Sequence, residues 1–123
     1  MSKIRRVYVA GALNATACDY IQNVHRMIKW AEKVRRLGYS VFVPGIDFLC
    51  GLVNGDWDYL DYFNNSQPWL EVADIMFVVP GYEKSAGTKK EIERAESLNI
   101  PVYYGYGGLK ILWDLIKEYN AKK

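Results

Sequence analysis

The chain predicts an open α/β sheet, parallel and doubly wound, of four to five strands. Three observations carry this: short apolar runs alternate with longer stretches of helical spacing, nearly every run is closed by glycine or proline, and 123 residues provide for one core. Strands that alternate with helices pair in parallel through right-handed crossovers, which gives a flavodoxin- or Rossmann-like single domain over 1–123.

Residues 7–10 are a short apolar run closed by Gly11. Behind them Tyr20, Ile21, Val24, Met27, Ile28, Ala31, Val34 and Leu37 recur at helical spacing, with Thr16 and Asp19 set as a capping pair and Gly38 as the C-terminal glycine. Residues 41–43 read as a second strand ended by Pro44-Gly45, and 44–56, rich in Gly, Asn and Asp, as a loop. Aromatic residues at uneven spacing over 57–70 give one or two short helices. Residues 74–79, within ADIMFVV, form a continuous apolar strand of the kind buried on both faces, closed by Pro80-Gly81. A helix over 88–98 gathers Ile92, Ala95 and Leu98 on one face and stops at Asn99 and Pro101. Residues 102–104 are a fourth strand, and Gly105, Gly107 and Gly108 separate it from a last helix bearing Leu109, Ile111, Leu112, Leu115, Ile116 and Tyr119, with 120–123 frayed.

Composition excludes several classes. Half of the residues are apolar and 24% are charged, so disorder and collagen-like structure are ruled out. A net charge of +2 is too near balance for a binder of nucleic acid polymers or acidic membranes. Cys18 and Cys50 form no CxxC and no Cys/His cluster, so neither a disulfide framework nor a metal site is expected and both thiols read as reduced. The basic start is followed by an apolar run that stops at Leu13 with Gly11 inside, which suits a buried strand better than a signal peptide, and no apolar stretch is long enough to cross a bilayer. The expectation is a soluble cytoplasmic protein.

Known nucleotide loops and hydrolase motifs are missing. After the first strand the chain reads AGALNATA, without the spaced glycines of a dinucleotide site or the GK[ST] of a P-loop, and no GxSxG elbow occurs. His25, the single histidine, falls on a helix surface.

Ligands of doubly wound sheets bind beyond the carboxyl ends of the strands, here 11–16, 44–56 and 80–88. The segment PGYEKSAGTKKEIERAESLNIPVYY places Glu91 one turn into a helix preceded by Ser85, Gly87 and Thr88. Two readings stand. Thr88-Lys89-Lys90-Glu91 satisfies a capping box, in which Glu91 serves its own main chain. Alternatively, the unpaired amides of the helix start receive an anion such as phosphate, or sit beside a reactive carboxylate. Both put Glu91 at the ligand edge.

RVYVAG at the first strand, WLEVADIMFVV at the third and SAGTKKEIERA leading into IPVYY resemble the nucleoside 2-deoxyribosyltransferase superfamily. PGYEKSAGTKKEIERA in particular is similar to its small phage and bacterial branch, related to the nucleotide N-glycosidases. The resemblance implies that Glu91, in the pattern G-x-x-x-E with Gly87, attacks the anomeric carbon, and that Tyr8 hydrogen-bonds it. Tyr8 also has a plain reading as a core strand residue beside Val7 and Val9. The family's general acid stands three residues before the tryptophan, where this chain has Ser66. Asp61, or else Asp58 or Asp56, would have to replace it, or the leaving base must be easy to expel, or catalysis is lost; a solvated helix-face aspartate is the alternative for Asp61.

Ser85 stands where family members acting on free nucleosides carry an acid and the N-glycosidases a serine, which favours a 5′-monophosphate. Asn14 and Thr16 of the first loop would donate to that phosphate, and Lys84 or Lys89 would supply the cation that loop lacks. Asp47, after the second strand, binds a sugar hydroxyl or base, or simply caps a turn. Trp57, Tyr59, Tyr62, Phe63 and Trp69 stack a base, or pack a core or subunit interface. Gly11 and Thr88 complete the expected binding set with Gly87.

The expected function is cleavage or transfer at the N-glycosidic bond of a deoxynucleoside or a nucleoside 5′-monophosphate through a covalent glycosyl-Glu91 intermediate. No metal or organic cofactor is expected. The partner is a small nucleoside or nucleotide, and the resemblance implies a homo-oligomer, a dimer or larger. A non-catalytic nucleotide-binding or sensing module is the alternative, because Ser66 stands where the acid is expected.

Overall fold

The structure is a computed structural model that describes residues 5–11 and 17–122. Thr16 of the expected capping pair, and the phosphate contacts expected of Asn14 and Thr16, lie outside the described residues.

Four strands form one sheet in the order β2-β1-β3-β4, with β1 at Arg6–Ala10, β2 at Ser40–Phe42, β3 at Ile75–Val78 and β4 at Val102–Tyr103. Every pairing is parallel, with Tyr8 in register between Phe42 and Met76. The chain therefore builds outward from β1 to β2, crosses back, and builds outward through β3 to β4. β1 and β3 flank the point where the direction of building reverses, which opens a crevice beyond their carboxyl ends.

Strand alternation sends side chains to two cores. Val7, Val9, Ile75 and Phe77 meet Met27, Ala31 and Val34 of α1 (Ala17–Leu37) and Leu109 and Ile116 of α5 (Tyr106–Ala121). Tyr8, Ala10, Met76 and Val78 meet Leu70 of α3 (Tyr59–Glu71) and Ile92 and Ala95 of α4 (Ala86–Ser97). Each fully buried aliphatic side chain contributes roughly 1.5–3 kcal/mol, so both helical layers are held by the sheet. At the opposite edge from the crevice, the Asp74 carboxylate accepts from the backbone N–H groups of Arg5 (2.8 Å) and Arg6 (2.7 Å), which fixes the start of β1 against β3.

Two expectations are corrected, and one left open is settled. Residues 44–56 are not a loop: Pro44–Asp47 is a 3-10 helix that runs into α2 (Phe48–Asn54). The glycine and polar residues that suggested a loop mark the ends of this short helix or make room inside it. A Cβ on Gly51 would lie 1.7 Å from the Tyr62 hydroxyl, so glycine is what lets α2 approach α3. The aromatic stretch is one helix, α3, opened by a reciprocal cap in which the Asp61 N–H donates to Asp58 Oδ1 (3.0 Å) and the Asp58 N–H to Asp61 Oδ2 (2.8 Å). Finally, α5 runs to Ala121, beyond the expected fraying point. Among the described residues no helix is long and apolar enough to cross a membrane.

Candidate active site

Glu91 is freed from the main-chain role that its spacing allowed. The N-cap of α4 is Ser85, in extended conformation, and its Oγ accepts from the Thr88 N–H (3.2 Å) and from the Thr88 hydroxyl (2.8 Å). Thr88 is thus already inside the helix, at the third position, and cannot itself serve as the cap. The Thr88–Glu91 box does not form. Glu91 lies one turn further on, half-buried, and its Oε2 accepts the hydroxyl hydrogen of Tyr8.

Tyr8 fills both of the roles considered for it. Its ring is fully buried on the α3/α4 side of the sheet, with the Phe42 ring centroid 5.6 Å away, while its hydroxyl reaches Glu91. Burial, and after it the charge of Glu91, pushes the tyrosine hydroxyl far up, so Tyr8 is a neutral donor. Burial also pushes the Glu91 carboxyl up to about 7; the Tyr8 hydrogen bond works against this and the negative charge of Asp47 adds to it.

The carboxyl opens on a cavity of about 180 Å3 at the crevice between β1 and β3. Gly11 closes it after β1, Pro44 and Asp47 after β2, and Ser85, Gly87 and Thr88 at the start of α4. Trp57, Tyr62 and Phe63 form an aromatic wall, and Tyr20 of α1 completes the lining. Sequence reading missed Tyr20, because its place in the apolar repeat of α1 looked like a core position. Trp69, grouped with the other aromatics in sequence, points elsewhere: it is 54% exposed and stacks on Phe42 at 5.5 Å.

The acids divide sharply. Asp61 is exposed and absent from the lining, its carboxyl being engaged by the Asp58 N–H at the start of α3, so the structure does not bring it to Glu91. Asp58 does line the cavity, although its carboxyl accepts from the Asp61 N–H. Ser66 is buried in the cavity wall and donates to the Phe63 carbonyl (3.2 Å). Asp47 is half-buried in the lining; burial pushes its carboxyl up while a hydrogen bond from Asn65 opposes the shift. Lys84 and Lys89 are exposed and outside the lining, and His25 is exposed on α1.

Fold and site together define a small parallel α/β protein with a half-buried, tyrosine-bonded carboxyl at the switch point of its sheet. Residues 5–104 match the family described as Domain of unknown function (DUF4406), and the chain belongs to that family. The match runs from the first strand to the fourth and takes in every cavity residue. No curated protein matches the chain.

Proposed function

We propose that this protein cleaves or transfers the N-glycosidic bond of a deoxynucleoside or nucleoside 5′-monophosphate through Glu91, as its resemblance to the nucleoside 2-deoxyribosyltransferase superfamily implies. One observation carries the reading: a carboxyl that could have capped its own helix is instead half-buried, held by Tyr8 and open to a cavity.

In this reaction C1′ of the sugar acquires oxocarbenium character as the bond to the base breaks, and a Glu91 oxygen captures it as a glycosyl ester. Water or a second base then attacks C1′ and releases Glu91. Tyr8 holds one carboxylate oxygen and so aims the other. The aromatic wall of Trp57, Tyr62 and Phe63 suits the flat face of a base. Ser85 accepts two hydrogen bonds from Thr88 and keeps its own hydroxyl hydrogen to donate at a helix start, an arrangement that suits a 5′-phosphate.

The test is incubation of purified protein with each deoxynucleoside and each 5′-monophosphate, with and without a second base, followed by separation of products. Free base alone identifies a hydrolase and base exchange a transferase, either being lost in Glu91→Gln. Silence across the panel from folded protein rejects the proposal. A nucleotide-binding module without turnover is the second reading, favoured by Ser66 in the wall where an acid would serve. Calorimetric binding that survives Glu91→Gln, with no turnover in the parent protein, would select it.

A further inference from the structure

Two carboxyl groups at the crevice decline the capping that their positions offer. Glu91 is one. The other is Asp47, which occupies the N-cap position of α2 yet makes no side-chain cap bond. The reason is in its backbone. A capping side chain folds back on the helix amides from an extended residue, whereas Asp47, at the end of the 3-10 turn, has helical angles, φ −68° and ψ −8°. Its carboxyl accepts instead from the Asn65 side chain and from its own N–H, and the residue lies half-buried in the cavity wall, with Glu91 in the same lining.

We propose that Asp47 is the general acid of this site: it gives a proton to the departing base nitrogen as Glu91 captures C1′, and takes one back from the incoming water. This rests on the N-glycosidic reading above. The other candidates are poorly placed. Ser66 has no acidic proton, Asp61 is outside the cavity, and Asp58 is exposed with its carboxyl accepting from the Asp61 N–H. A glycoside site that works through a covalent intermediate needs one carboxylate to attack and one carboxylic acid to protonate the leaving group.

The groups that face Asp47 are Glu91 on α4, Tyr8 on β1, Tyr20 on α1, Tyr62 and Asp58 at α3, and Glu32 on its outer side. Lysine and arginine are absent from the described lining of the cavity, so the negative charge of Asp47 adds to the rise of the Glu91 carboxyl, which holds the proton below about pH 7 before substrate binds. The cation developing at C1′ favours the arrangement with the charge on Glu91 and the proton on Asp47. In the first half-reaction the C1′–N bond breaks, the Glu91 Oε–C1′ bond forms and the Asp47 proton moves to nitrogen. In the second, water oxygen bonds to C1′, its proton goes to the Asp47 carboxylate and Glu91 leaves.

The experiment compares Asp47→Asn with the parent protein on ordinary purine and pyrimidine deoxynucleosides and their 5′-monophosphates, and on N7-methylated deoxyguanosine and its 5′-monophosphate. The methylated base already carries a positive charge and departs without a proton. The expected result is loss of turnover on ordinary substrates by about 10²–10⁴-fold, the usual worth of general acid catalysis, with the N7-methylated substrates nearly unaffected and the alkaline limb of the pH profile abolished. Asp47→Glu, which keeps an acid, should retain ordinary turnover to within about tenfold of the parent. Equal loss on both substrate types by folded Asp47→Asn, or an Asp47→Glu protein no better than Asp47→Asn, would overturn the assignment while leaving the Glu91 chemistry intact. A parent protein inactive on every substrate would instead remove the N-glycosidic reading and Asp47's role with it.

Discussion

Tyr8 on the central strand gives its hydroxyl hydrogen to Glu91 on α4, a contact between residues 83 apart in the chain that joins the sheet to the cavity. The bond satisfies a carboxyl that burial would otherwise leave poorly solvated, and it engages Oε2, so that Oε1 is the oxygen the proposed reaction would use. Tyr8→Phe keeps the ring in the core and removes only the hydroxyl. The expected outcome is a stability loss of about 1–2 kcal/mol at a pH where Glu91 is ionised and a further rise of the Glu91 carboxyl above about 7. Denaturant titration reads the first effect. The second appears as an alkaline shift in the acidic limb of the pH–rate profile, and an unmoved limb would count against the contact.

Glu91 itself makes stability depend on pH, with a definite sign. Its carboxyl is raised from the ordinary 4.5 to about 7, first by burial, so the folded protein holds a proton that the unfolded chain releases between those values. Stability from this group is therefore complete below about pH 4.5 and is lost as pH rises through about 7. Full ionisation costs roughly 3 kcal/mol. Glu91→Gln mimics the protonated acid. It should match the parent protein near pH 4, exceed it in stability by up to about 3 kcal/mol at pH 8.5, and lack N-glycosidic turnover at any pH. Urea titrations at the two pH values make the comparison, and a gap that does not widen with pH would contradict the shift.

The strands and the helices on either side of them were legible because apolar periodicity and glycine or proline punctuation are local signals. Val7, Val9, Ile75 and Phe77 alternate as a parallel sheet requires, and Asn99, in the left-handed region at φ 59°, ends α4 where the sequence suggested a stop. The cap of α4 was harder to read, since Thr88 and Glu91 stand at capping-box spacing whereas Ser85 has no Glu or Gln three residues on, and only the backbone shows that the serine is the cap. Helix α2 escaped notice because Gly51 and the flanking Asn and Asp carry loop propensities, while its real determinant is the long-range approach of Tyr62. Which of Asp47, Asp58 and Asp61 faces the cavity depends on how α2 and α3 cross the crevice, and no local pattern encodes that.

Away from the cavity, Gly38 makes a separate claim on the sequence. It follows α1 at φ +126°, and a Cβ there would lie 2.2 Å from Cζ2 of Trp113 on α5, whose ring makes an edge contact with Tyr39 at 4.8 Å. Gly38→Ala must strain the backbone and also push an indole out of the α1/α5 layer. We expect it to lower stability by about 2–4 kcal/mol, read as a fall in the urea midpoint, with the proposed N-glycosidic turnover, where the parent shows it, unchanged below the transition. A melting temperature unchanged by the substitution would mean that Trp113 does not pack against this turn.

Ser85 separates the cap from the choice of ligand. Ser85→Ala removes the oxygen that accepts from both groups of Thr88 and should cost about 1 kcal/mol. Ser85→Asp restores an equally good cap, so its stability should return to near the parent value, but it adds a negative charge to the cavity wall beside Gly87 and Thr88. If a 5′-phosphate docks at this helix start, Ser85→Asp will weaken nucleoside 5′-monophosphates by about tenfold or more, roughly 1.4 kcal/mol of repulsion, while the matching nucleosides keep or improve their affinity. Calorimetric titration with paired nucleoside and monophosphate at low and high salt measures the difference, which should shrink as salt rises. Equal weakening of both ligands would move the phosphate away from Ser85 and leave the free nucleoside as the better-fitting substrate.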